Sequence, residues 1–182
     1  MKKLLTLLII FIAAAATAAA GEKSIEGKAE LKADELTAYI KKHNPDFDPD
    51  IAKAYIKIGK KYGIRGDIAL CQAILETGWF KYAGSAVKPE HYNYCGLGVI
   101  TNGKTGSCFK SMEDGVRAHI QHLYAYCCKK ELPRREKPVD PRFGLVKRGC
   151  APTWEKLSGR WAKNPKYGQQ ILDLHKRIKK AR

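Results

Sequence analysis

The sequence predicts a mainly α-helical domain carrying a small irregular or β-hairpin lobe. Three observations carry that expectation. Apolar residues recur at helical spacing in separate segments, with capping residues at their starts and glycines at their ends. The stretch 83–108 breaks this pattern, because Gly84, Pro89, Gly96, Gly98, Gly103 and Gly106 interrupt short apolar runs. With 182 residues, 45% apolar and 29% charged, the chain has the composition of one globular domain, not of a disordered chain.

The elements follow in order. Lys2 and Lys3 precede an apolar run from Leu4 through Ile12 and an alanine-rich stretch, with Ala18 and Ala20 spaced as a small-x-small cleavage site before Gly21. Residues 1–20 therefore read as a secretory signal peptide. Leu4 to Ala20 approach the lower length limit of a membrane span, so an uncleaved anchor is the rival reading. No membrane span is expected after cleavage. Residues 21–44 read as a charged spacer with a possible short helix from Asp34 to His43, stopped by Asn44-Pro45.

Residues 45–178 form the expected domain. Asp48 is placed to cap a helix with Pro49 at its first position. Ile51, Tyr55, Ile58 and Tyr62 then share one face, and Gly63 ends the helix. Asp67 is expected to cap the next helix, whose stripe is Ile68, Cys71, Ile74 and Leu75 and whose stop is Gly78. In the irregular stretch, Asn102-Gly103 suits a hairpin turn. Ser111 and Asp114 read as a capping box before a helix lined by Val116, Ile120, Leu123 and Cys127. A basic connector from Pro133 to Pro141 follows. The last helix is expected from Asn164-Pro165, with Ile171, Leu174 and Ile178 inward and a basic tail at 179–182.

Charge narrows the partners. Lys and Arg number 34 against 18 Asp and Glu, a formal +16, which favours anionic partners. Export argues against nucleic acid and leaves anionic envelope polymers; a surface that merely aids solubility is the alternative. Six cysteines in an exported chain suggest disulfides. Cys95–Cys108 would close the glycine-rich excursion, and Cys127 or Cys128 could reach Cys150. No C-x-x-C pair supports the rival zinc reading. Nothing in the sequence calls for a second subunit, so a monomer is expected.

The stretch from Gln72 to Phe80 carries the chemistry. Glu76 stands at the end of an apolar helix, before a glycine stop and two aromatics. Such surroundings desolvate a carboxyl group and raise its pKa, which suits a general acid for glycosidic cleavage. A solvated helix-end Glu is the plain alternative. Gln72, one turn earlier, could orient Glu76 or a substrate. Trp79 and Tyr94 could stack on sugar faces or lid a small core. His119 and His122 are spaced as a metal pair but have no third ligand in sight, so neither metal nor other cofactor is expected. A Cys71–His nucleophile is disfavoured by oxidising export.

The Gln72–Phe80 stretch resembles the catalytic helix of the glucosaminidase family of peptidoglycan hydrolases, glycoside hydrolase family 73, whose members share a lysozyme-like helical fold. Further segments resemble a branch of that family: Asn93 to Val99, Gly115 to Leu123, and Asp140-Pro141-Arg142-Phe143 through Arg148-Gly149, with Trp161-Ala162 and Tyr167-Gly168 beyond. The resemblance implies hydrolysis of the β-1,4 bond on the reducing side of N-acetylglucosamine in peptidoglycan glycan strands, with Glu76 as general acid. It also implies a sugar-holding role for Tyr167 and places Asn93, in the turn after the catalytic helix, among the substrate-binding residues. For a second carboxylate, Glu113 and Asp140 remain open; Glu113 also suits a helix dipole, and Asp140 a turn before Pro141. Inverting glycosidases separate their carboxyls by about 6.5–9.5 Å and retaining ones by about 5–5.5 Å. Substrate-assisted cleavage, a lytic transglycosylase or muramidase, and a non-catalytic cationic wall-binding protein are the alternatives.

Overall fold

A computed structural model describes residues 21–99 and 106–182. The expected signal segment 1–20 and the Asn102-Gly103 turn lie outside the described residues. Five α-helices build the body: α1 (Ala33–Lys41), α2 (Pro49–Tyr62), α3 (Gly66–Thr77), α4 (Met112–Cys127) and α5 (Tyr167–Lys180). No described helix is long and apolar enough to cross a membrane.

Local chemistry accounts for most helix ends. The Asp48 side chain accepts from the Asp50 N–H at 2.9 Å, Pro49 opens α2, and the chain turns left-handed at Gly63. The Ser111 hydroxyl accepts from the Asp114 N–H at 3.2 Å and opens α4. α5 starts two residues later than Pro165, because the Asn164 side chain accepts from the Lys166 N–H and holds the chain in a turn. α3 departs further from expectation. Its residues from Gly66 to Ile74 are all buried, whereas Leu75, placed on the apolar stripe by spacing, is exposed. A helix buried all round has no stripe to read. α3 is the central helix, buried along most of its length and packed by α2, α4 and α5.

Asp67 is not the α3 cap; Arg65 stands at that position. The Asp67 carboxylate is buried and accepts from the Glu30 and Leu31 N–H groups at 2.7 and 3.1 Å, while pairing with His175 at 2.8 Å. This node ties the N-terminal segment and α5 to the start of α3. The spacer expectation for 21–44 is corrected accordingly. Ile25, Leu31, Leu36 and Ile40 are core residues, and the Ile25 N–H donates to the Pro152 carbonyl at 3.0 Å. The basic tail also docks, with Lys179 2.6 Å from Glu30.

The small lobe carries no strand among the described residues, which hold three isolated bridges elsewhere. Its two limbs meet where the Ser107 N–H donates to the Leu97 carbonyl at 2.7 Å. Turns and one short 3-10 helix, Pro89–His91, fill the rest. The expected Cys95–Cys108 bridge and the bridge from Cys127 or Cys128 to Cys150 are not seen: the structure leaves all six cysteines unbridged. Cys95 is buried beneath the lobe while Cys108 is exposed, and the Cys127 thiol points to the Tyr124 carbonyl, not to Cys150.

Candidate active site

Glu76 is the penultimate residue of α3, and the backbone beyond it is unusual. Gly78, Trp79 and Phe80 adopt φ values of +56°, +63° and +59° in succession. The left-handed region costs a non-glycine residue roughly 1–2 kcal/mol. Thr77 helps hold the turn, its hydroxyl donating to the Ala73 carbonyl and accepting from the Phe80 N–H at 2.9 Å. The helix therefore stops abruptly just past Glu76, leaving its carboxyl at the lip of the helical body.

Two depressions open onto that carboxyl. One, of about 300 Å³, is bordered by Tyr82, Ser85, Asn93 and Trp161. The other, of about 510 Å³, is bordered by Tyr167, Gln170, Asp173 and Arg177. Glu76 and Ala162 line both, so the two form one cleft divided at Glu76.

Behind the carboxyl runs a buried hydrogen-bonded chain. The Tyr167 hydroxyl donates to Glu76 and accepts from the Gln72 side-chain amide at 2.8 Å. The Gln72 carbonyl is 3.1 Å from His119 Nε2, and His119 Nδ1 is 2.7 Å from the Tyr55 hydroxyl. With Gln72 accepting, His119 Nε2 carries the ring proton and Nδ1 accepts from Tyr55. Burial pushes the His119 pKa down to about 3, so the ring stays neutral and this wiring persists at any working pH. Every donor in the chain points towards Glu76. Gly168 permits the arrangement: a Cβ there would lie 2.1 Å from the Trp154 carbonyl, so a side chain would force α5, and Tyr167 with it, outward.

Burial raises the Glu76 carboxyl above the usual carboxylate range, opposed by the Tyr167 hydroxyl and the Trp161 indole. The group thus holds a proton to higher pH than a solvated Glu while standing beside open space.

The other sequence candidates divide. Gln72 and Tyr167 lie directly behind Glu76. Asn93 borders the cleft, but its side chain braces the lobe, donating to the Leu97 and Ser107 carbonyls at 2.9 Å each and accepting from the Leu97 N–H at 3.0 Å. Tyr94 is 3% exposed and packs against Tyr55 and Phe80, which leaves no ring face for a sugar. Trp79 stacks on His43 at 3.8 Å, away from both depressions. Glu113 sits in the first turn of α4, paired with Lys57 at 3.2 Å, and Asp140 is buried against His122 at 2.7 Å. Neither lines the Glu76 cleft. The two histidines do not form a metal pair: His119 faces Gln72 and Tyr55, and His122 faces Asp140. Among the described residues no group of three or more potential ligands could hold a metal ion.

Sequence reasoning passed over Trp161, Asp173 and the inner part of the buried chain. Trp161 carried a signal, since Trp161-Ala162 belongs to the segments of the resemblance. In the structure its ring packs between His122, at 4.9 Å, and Tyr126, at 5.6 Å, and forms a fixed wall of the cleft.

Comparison with known proteins gives the family and the fold. Residues 52–180 match the family model Glucosaminidase, described as mannosyl-glycoprotein endo-beta-N-acetylglucosaminidase. A protein of Borreliella burgdorferi, itself described as uncharacterized, is 39% identical over 152 residues, covering 81% of this chain and 72% of its own length. Among solved structures, S. aureus Autolysin E in complex with a muropeptide superposes with a TM-score of 0.56 at 14% identity, over 88% of this chain and 72% of that one. The catalytic domain of the autolysin Auto from Listeria monocytogenes gives a TM-score of 0.47 at 18% identity, over 80% of this chain and 85% of that one. The fold is a lysozyme-like helical domain shared with Autolysin E, and the chain belongs to the glucosaminidase family of glycoside hydrolases, family 73.

Proposed function

We propose that this protein is an exported peptidoglycan hydrolase that cleaves the β-1,4 bond after N-acetylglucosamine, with Glu76 as general acid. One observation carries the reading: a carboxyl group with a raised pKa stands in an open cleft, held from behind by Tyr167. Protonated Glu76 gives its proton to the leaving glycosidic oxygen as the C1–O bond breaks. Tyr167 fixes the carboxyl's orientation, and the neutral Gln72–His119–Tyr55 chain fixes Tyr167.

The second half of the reaction follows from the cleft's acid content. Glu113 and Asp140 are engaged away from it, the sequence holds no Asp or Glu between Glu90 and Glu113, and Asp173, the other carboxylate on its border, is half exposed and engaged by Gln169. This favours participation by the substrate. The acetamido oxygen of N-acetylglucosamine closes on C1 as the leaving group departs. Water then attacks C1 and returns a proton to the Glu76 carboxylate, which restores the acid. The same single-acid arrangement supports a second reading, a lytic transglycosylase, in which a muramic hydroxyl replaces water.

The signal-like residues 1–20 and the formal +16 support export to an anionic envelope. Digestion of purified peptidoglycan followed by mass spectrometry tests the assignment. New reducing-end N-acetylglucosamine is expected; muramic or anhydromuramic ends would overturn the bond choice. Glu76→Gln is expected to lose at least ~10²-fold in rate, the scale of general-acid assistance. A variant as active as the parent would end the assignment of this residue.

A further inference from the structure

Beyond Trp161 the cleft continues into a depression whose charge is one-sided. A cavity of about 230 Å³ shares Cys95, Gly96, Val99 and Trp161 with the Glu76 cleft. It passes His122, Tyr126, Arg142 and Arg160 into a further cavity of about 340 Å³ that adds Lys147. No acidic side chain borders either cavity. Asp140, two residues before Arg142, is buried and committed to His122 at 2.7 Å and the Arg142 N–H at 2.8 Å. Arg142, Lys147 and Arg160 form no ion pair among the described residues, and the remaining residues, 1–20 and 100–105, contain no Asp or Glu.

These cations are held on anchored loops. The Tyr126 hydroxyl donates to the Arg160 carbonyl at 3.2 Å. On the other wall, the Gly149 N–H donates to the Ala125 carbonyl at 3.0 Å, and Arg148 donates to the Cys128 and Lys130 carbonyls while lying over the Phe143 ring at 4.5 Å. Three like charges gathered around a concave surface without a counter-charge repel one another, and an anion relieves that repulsion. Guanidinium groups suit carboxylates in particular, since the planar fork matches two oxygens.

We propose that this depression is a binding site for the carboxylates of the peptide stem on a peptidoglycan strand; the proposal rests on the reading of the Glu76 cleft as the glycan site. The continuity of the walls argues for this source of anion. A sugar backbone of acetylated, amide-capped units is itself uncharged, so a charge that enters together with the glycan must hang from it, and the stem supplies carboxylates on alternate sugars. The opposite arm of the cleft carries mixed charge, being lined by both Asp173 and Arg177, and offers no comparable anion site. The asymmetry directs the stem to the Trp161 side and gives the strand one orientation across Glu76.

The test compares glycan strands that retain their stems with strands stripped of them by an amidase. Arg142→Gln, Lys147→Gln and their double variant are made in the full chain. The ratio of kcat/KM on stem-bearing to stem-free strands is expected to fall about tenfold in the double variant, with Arg142→Lys intermediate. A ratio equal to that of the parent protein overturns the proposal. A loss seen only on whole walls carrying phosphate polymers, and not on purified strands, reassigns the site to those polymers and also overturns it. Binding of a free stem tetrapeptide, followed by NMR, separates this proposal from the catalytic one. A parent protein that binds the peptide at the Arg142 loop but cleaves no strand supports the site while sinking the hydrolase reading. No shifts at that loop with active enzyme do the reverse.

Discussion

The two ends of α3 each bury a carboxyl group, and they treat it in opposite ways. At the start of the helix Asp67 is enclosed; at the end Glu76 is enclosed on one side only. Burial is the largest single influence on both and raises both. For Asp67, the pairing with His175 and the N–H groups of Glu30 and Leu31 together outweigh burial, so its pKa falls below the usual range. For Glu76, Tyr167 and Trp161 oppose burial but do not overcome it, and the pKa stays raised. Helix position works in the same directions, because N–H groups at a helix start favour negative charge and carbonyls at its end disfavour it. Full satisfaction makes a carboxylate a structural tie; partial satisfaction beside open space leaves a proton to give.

The contrast breaks if the two positions respond alike to loss of charge. Glu76→Gln should remove at least ~10²-fold of activity with an unchanged or raised Tm, because it deletes a buried acid that ionises at a cost. Asp67→Asn should do the opposite. Losing the carboxylate weakens the hydrogen bonds to the Glu30 and Leu31 N–H groups and to His175, a cost of about 1–3 kcal/mol for each buried group left unsatisfied, and the remaining activity at low temperature should be near that of the parent. Thermal melts and turnover of both variants check this. Their pH dependences differ in sign as well. Asp67, depressed when folded, contributes stability at neutral pH that is lost as pH falls from its unfolded value near ~3.9 through its folded one. Glu76, raised when folded, lowers stability as pH climbs from its unfolded value near ~4.3 through its folded one.

Sequence alone showed one of these ends and missed the other. Glu76 was legible because a glycine stop and two aromatics follow it directly, a local pattern with a local consequence. The sequence reads Asp67 as a cap because its three partners, Glu30, Leu31 and His175, lie far along the chain, where no local pattern links them to the start of α3. The same cause hid the docking of residues 21–32, where Ile25 is an isolated apolar residue between bridges to Thr153 and Ile64, and Leu31 one held through its N–H to Asp67. Capping at Asp48 and Ser111 was legible because both bonds span two or three residues. Tyr94 and Trp79 misled for a related reason: an aromatic beside a turn looks the same whether its ring faces a cleft or the core.

A sharper question is how far Tyr167 sets the acid. Tyr167→Phe removes a donor that lowers the Glu76 pKa, so the carboxyl should hold its proton to still higher pH. The alkaline limb of the kcat/KM profile should move upward while the maximum rate drops about tenfold through lost orientation. A limb that moves downward would contradict the hydrogen-bond polarity assigned to the buried chain. His119→Leu should give a weaker version of both effects, with about 1–3 kcal/mol of lost stability, since it strands the Gln72 carbonyl and the Tyr55 hydroxyl in the core.

The smallest expected effect belongs to Asp173, the other carboxylate bordering the Glu76 cleft among the described residues. It is half exposed on α5, accepts from the Gln169 side chain at 2.8 Å and lies 3.9 Å from Lys176, so water and neighbours already satisfy it. A solvated carboxylate of this kind has no dry pocket in which to activate water. Asp173→Asn should therefore change kcat less than ~3-fold, a factor worth under about 1 kcal/mol in barrier height. A loss approaching that of Glu76→Gln would make Asp173 the second acid of a two-carboxylate mechanism. Participation by the substrate's acetamido group would then be unnecessary, and the division between a tie at one end of α3 and a lone proton donor at the other would no longer hold.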